Sequence, residues 1–82
     1  MMNKKEEIKY IQLEISLKNL FMVSKTTNEL TFYYNNKRVI TVIFANDQDA
    51  IDGYQSTFRF IGLEDNSIHI DNATSFDIEW EL

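Results

Sequence analysis

The chain has no cysteine, no proline, two glycines and one histidine. Without cysteine there is no disulfide framework and no thiolate metal site, so a small domain of this kind relies on its core alone or on self-association. Two glycines exclude a glycine-rich phosphate loop. The one histidine, His69, sits in Ser67-His69-Asp71. Those three side chains would leave one face of one strand, with neighbouring Cα atoms about 6.5–7 Å apart. A working triad needs contacts of about 2.6–3.2 Å drawn from separate elements, so the set reads as a polar strand face. No catalytic residue, enzyme activity or cofactor is expected.

Long apolar runs are also missing. No segment reaches the roughly 18 residues of a membrane span, and MMNKKEEIKY carries charge with no apolar stretch behind it. The expectation is a cytoplasmic protein with no membrane partner. A basic surplus is absent too. Eight Lys and Arg stand against thirteen Asp and Glu, a net charge of −5, which argues against direct binding of a nucleic-acid duplex.

What is present suffices for one small domain over residues 1–82. Hydrophobic residues make up 44% of the chain, six Phe, four Tyr and one Trp among them, too apolar for disorder. Alternation dominates. IQLEISLK (11–18) sets Ile11, Leu13, Ile15 and Leu17 against Gln12, Glu14, Ser16 and Lys18, the period of a half-buried strand. LFMVS (20–24) reads as a return strand across a Lys18-Asn19 turn. ELTFYY (29–34) and RVITVIF (38–44) flank Asn35-Asn36, a hairpin signal because Asn tolerates positive φ. A three-residue loop there pairs Phe32 with Ile40 and Leu30 with Val42, keeping the large apolar groups on one face. VITVIF, nearly continuous and β-branched, is the expected central strand.

Residues 45–56 are polar and read as a loop or one helical turn. Strand signals resume at TFRFIGLE (57–64), turn at Asp65-Asn66, return as SIHID (67–71), and close with SFDIEWEL (75–82) after a loop at NATS. The sum, with no proline to interrupt it, is mainly β: a small antiparallel barrel or sandwich of six to seven short strands. The alternative is an α+β domain with an N-terminal helix, capped by Asn3 and Glu6, packed on an antiparallel sheet.

DQDAIDG resembles a calcium loop, but Ile51, Asp52 and Phe58 occupy positions that need an oxygen ligand, a glycine and a glutamate. No metal site is expected. A single-strand nucleic-acid binder using Tyr33, Tyr34, Lys37 and Arg38 is a weaker alternative, because the acidic half repels phosphate.

Charge is divided unevenly. Residues 1–44 hold seven basic groups against four acidic ones, and residues 45–82 hold nine acids against Arg59 alone. In the closing segment Asp77, Glu79 and Glu81 alternate with Phe76, Ile78, Trp80 and Leu82, so one strand face is a row of carboxylates. Asp71 is expected across the last hairpin, with Asp47, Asp49 and Asp52 in the loop. Trp80 is expected to anchor the strand from the core side. These acids point to a protein partner with a basic surface. The most specific expectation is an inhibitor that imitates nucleic-acid charge and blocks a nucleic-acid-binding protein, of phage counter-defence or nuclease-immunity type. The second expectation is an assembly module, a homodimer included, joined through a strand edge or apolar patch.

Overall fold

The structure, a computed structural model, describes residues 9–60 and 67–80. Five strands and one helix follow in the order β1 (Ile11–Ser16), β2 (Leu20–Thr26), β3 (Glu29–Tyr34), β4 (Arg38–Phe44), α1 (Asp47–Phe60) and β5 (Ser67–Trp80). All strands join one antiparallel sheet in the order β1-β5-β4-β3-β2. The protein is mainly β, but its described part is one open sheet with an internal helix. Among the described residues neither a closed barrel nor a two-sheet sandwich forms, and five strands are found where six or seven were expected. The proposed N-terminal capping pair lies outside the described residues.

The β3–β4 hairpin takes the register that burial of the apolar groups demands, with Phe32 opposite Ile40 and Leu30 opposite Val42. Its loop is Asn35-Asn36-Lys37, closed by the Lys37 amide donating to the Tyr34 carbonyl at 3.0 Å. Positive φ falls on Lys37 (71°), not on either asparagine. β4 lies at the centre of the sheet, as its β-branched run implies.

β1 and β2 do not form the expected hairpin. Each antiparallel step reverses direction, so β1 and β2, at opposite edges of the sheet, run the same way. Only Leu17, Lys18 and Asn19 join them. Four residue steps reach at most about 14 Å, whereas the edges of a flat five-stranded sheet lie about 19 Å apart. The sheet therefore curls. Asn19, at φ 66°, turns the chain from one edge to the other. Its carbonyl accepts the Asn35 amide at 2.8 Å.

The curl encloses the core. Ile15, Val23, Leu30, Phe32, Tyr34, Ile40, Val42, Phe44, Ile68, Ile70 and Ala73 point inward, and α1 adds Ala50. α1 starts at an Asn46 cap, whose Oδ1 accepts the Asp49 amide at 2.9 Å. Asp47 and Asp49 in the first turn and Arg59 in the last complement the helix dipole. The stretch read as loop followed by the strand TFRFIGLE is thus helical through residue 60; Ile61, Gly62, Leu63 and the Asp65-Asn66 turn lie outside the described residues. The helix buries small groups. A Cβ on Gly53 would stand 3.0 Å from Leu30 Cδ1 and 3.2 Å from Phe44 Cζ, so α1 sits close on the sheet at that point.

β5 is one 14-residue strand, and NATS is part of it. Its first half pairs with β1 and its second half with β4, the two ladders meeting at Ala73. Register shifts on both sides of Ala73 turn that residue inward, and the Thr74 hydroxyl donates to the Ile43 carbonyl at 3.1 Å. No helix among the described residues is long and apolar enough to cross a membrane.

Candidate functional site

The second half of β5 follows from its pairing. Phe76 lies opposite Val42, Ile78 opposite Ile40 and Trp80 opposite Arg38, so the apolar set shares the inner face. Asp77 lies opposite Thr41 and Glu79 opposite Val39, on the outer face. The inner set is nevertheless open. Phe76 is 47% exposed, Ile78 48% and Trp80 61%, whereas Val42 is fully buried. The β1 ladder ends at Ala73, and α1 seats over Leu30 and Phe44. Trp80 therefore does not anchor β5 from the core; it flanks the core beside Arg38.

Arg38 is the cation nearest this row. Its guanidinium lies 4.9 Å from the centre of the Tyr34 ring, close enough for a cation–π contact. Its Nε is buried without a hydrogen-bond partner among the described residues. The Tyr34 phenol is held above its ordinary pKa by burial, with the Arg38 guanidinium pulling the other way.

The expected acidic residues divide between two sides. Asp47, Asp49 and Asp52 ride on α1, which covers the inner face, and so lie across the sheet from Asp77 and Glu79. Asp47 is already engaged, its Oδ1 accepting from Lys25 Nζ at 2.6 Å. Asp52 accepts from Gln48 Nε2 at 3.0 Å. Asp71, in the first half of β5, joins Asp52 in lining a depression of about 130 Å³, with Ser56, His69 and Asn72 beside them. Among the described residues no group of three or more His, Asp or Glu is placed to hold a metal ion. Glu81 lies outside the described residues. The six described acids do not make one row.

The register uncovers a different acidic surface. Residues pointing outward are Gln12, Glu14 and Ser16 in β1, Met22, Ser24 and Thr26 in β2, Glu29, Thr31 and Tyr33 in β3, Val39, Thr41 and Ile43 in β4, and Ser67, His69, Ser75, Asp77 and Glu79 in β5. These outward residues include four carboxylates and His69, which lies opposite Glu14, and not one lysine or arginine. Lys25 and Arg38 fall on the inner face, and Lys18 and Lys37 in connections. Glu14 and Glu29 were not among the expected site residues. Their signal was present in the alternation of IQLEIS and ELTFYY, which assigns both to the polar side.

Comparison with family models, curated proteins and solved structures returns no match to this chain.

Proposed function

We propose that this chain is a non-enzymatic protein-binding module that docks the outer face of its sheet, the second half of β5 included, on a basic protein surface. The supporting observation is the outer face itself: Glu14, Glu29, Asp77 and Glu79 with no lysine or arginine among the described residues beside them. In this reading Asp77 and Glu79 carry the contact. Neither has an ion-pair partner among the described residues, since Lys25–Asp47 is the salt bridge found there. A stiff anionic surface speeds the encounter with a cationic partner and rejects wrong ones. Its most specific form is an inhibitor that imitates nucleic-acid charge and occupies a nucleic-acid-binding protein, as phage counter-defence and nuclease-immunity proteins do.

The half-exposed Phe76, Ile78 and Trp80 favour a second reading, association through apolar surface. Salt separates the two. An acidic-face complex weakens steeply as ionic strength rises, and an apolar one does not.

The test is capture of partners from lysate at low and high salt, comparing the native chain with an Asp77→Asn, Glu79→Gln, Glu81→Gln variant. Loss of a captured nucleic-acid-binding protein in the variant supports docking through the acids. Capture of the same partners by both forms refutes it.

A further inference from the structure

The second half of β5 is paired on one side only. Its ladder to β4 runs from Ala73 to Trp80, while its ladder to β1 stops at Ala73. Lys9 and Tyr10, just before β1, are exposed and not in a strand. Among the described residues, then, the side of residues 75–80 facing away from β4 presents unpaired backbone N–H and C=O groups. Unpaired edges template further strands, and natural proteins blunt them. The β2 edge is blunted by a register shift between Leu20 and Met22. No comparable shift interrupts residues 75–80.

What can pair there is decided by the side chains. A second copy is a poor occupant. Antiparallel pairing of two copies about Ile78 sets Phe76 against Trp80, but also Asp77 against Glu79 twice. A register centred on Asp77 sets that carboxylate against its own copy, and like charges directly opposite destabilise a pair. An incoming strand with basic residues on one face and apolar residues on the other meets Asp77 and Glu79 with opposite charge. On its second face it covers Phe76, Ile78 and Trp80.

We propose that residues 75–80 are a strand-addition site for an extended segment of a partner protein that alternates basic and apolar residues. This rests on the acidic docking reading above and specifies its geometry. The backbone ladder supplies affinity, as in other edge-strand complexes, and the alternation sets register. The carboxylates disfavour self-pairing in the registers that match the most apolar residues and admit a cationic strand.

The probe is an acetylated and amidated heptapeptide of alternating lysine and valine, titrated into the full chain at low salt and followed by backbone amide NMR and hydrogen exchange. The control has the same composition with its lysines grouped. Two further versions are N-methylated, one at the lysines and one at the valines. In a strand only one of these sets faces the edge. The expected result is new protection confined to residues 75–80, with binding lost for one methylated version and kept for the other. The grouped control, and the Asp77→Asn/Glu79→Gln chain, should each bind about tenfold more weakly.

Equal binding of alternating and grouped peptides, or equal behaviour of the two methylated versions, overturns strand addition. So does slow exchange, in the free chain, of the amides directed away from β4, because the edge is then already occupied. If both peptides bind equally and both are lost on removing Asp77 and Glu79, strand addition fails while acidic docking stands. If neither peptide binding nor lysate capture depends on those carboxylates, both fail.

Discussion

The Tyr34 hydroxyl donates a 2.6 Å hydrogen bond to the Ser16 carbonyl. The bond joins the last residue of β3 to the last residue of β1, strands that are not neighbours in the sheet. With the Asn35-to-Asn19 backbone bond, it fastens the curl at the point where the chain crosses between edges. Tyr34→Phe keeps the ring under Arg38 and removes the hydroxyl that makes this bond. A neutral hydrogen bond contributes about 1 kcal/mol net, so the variant should unfold about 4–8 °C lower. Urea and thermal unfolding check this, and an unchanged midpoint means the curl is held by packing alone.

The same side chain gives a pH signature. Burial raises the Tyr34 phenol above its ordinary 10.0, so the folded chain holds this proton more tightly than the unfolded one. The stability it contributes is fully present below the unfolded value. It is lost as pH rises through the folded value. The margin of native over Tyr34→Phe should hold steady up to about pH 10 and shrink above it. Paired urea midpoints between about pH 8 and pH 11 measure the margin; a constant difference contradicts the linkage.

Gly53 sits inside α1, where alanine is ordinarily better by about 1 kcal/mol. Here the added methyl meets Leu30 Cδ1 at 3.0 Å and Phe44 Cζ at 3.2 Å, both on fully buried side chains. Overpacking costs about 1–3 kcal/mol and should outweigh the propensity gain. Gly53→Ala is expected to destabilise by roughly 1 kcal/mol, and Gly53→Val by more. A stabilised alanine variant would mean that the core yields at this contact.

Lys37 holds a φ of 71° at an exposed loop position. A left-handed conformation costs a side-chain-bearing residue about 1–2 kcal/mol, offset in part by the greater unfolded-state freedom of glycine. Lys37→Gly should stabilise the hairpin by about 0.5–1 kcal/mol, read as a higher urea midpoint at unchanged slope. A lower midpoint would show that the lysine side chain contributes something its exposure conceals.

The β3–β4 hairpin was legible because its large apolar groups fit one face in only one register. The central place of β4 was legible from its β-branched run. α1 was not, because its buried residues are Ala50 and Thr57, with Gly53 close on the sheet and Tyr54 partly buried beside them; one large apolar group does not write a hydrophobic stripe. Thr57-Phe58-Arg59-Phe60 meanwhile imitates strand alternation. A helical turn at its start was legible, but with an aspartate as its cap; the cap is Asn46, whose Oδ1 accepts the Asp49 amide. The partner of β1 was hidden for another reason. Alternation fixes which face is wet but not which strand lies alongside, and the nearest candidate in sequence, β2, is not the one used. At the candidate site the alternation correctly separated Asp77 and Glu79 from Phe76, Ile78 and Trp80. It gave no hint that the apolar side lies beyond the reach of both α1 and the β1 ladder, because coverage is a property of the assembled sheet.

The crossing of Leu17-Lys18-Asn19 from one edge to the other also bears on how the chain folds. β2, β3 and β4 pair with their neighbours in sequence and can assemble as a local meander. β1 has no such neighbour: Ile15 pairs with Ile68, and the loop between them must close before that ladder returns any free energy. Searches of that span are slow for β topologies. On the ribosome β1 emerges long before its partner, at about 5–20 residues per second. For those seconds Ile11, Leu13 and Ile15 have no ladder to join, so β1, made before the other four described strands, is the last of them to be placed.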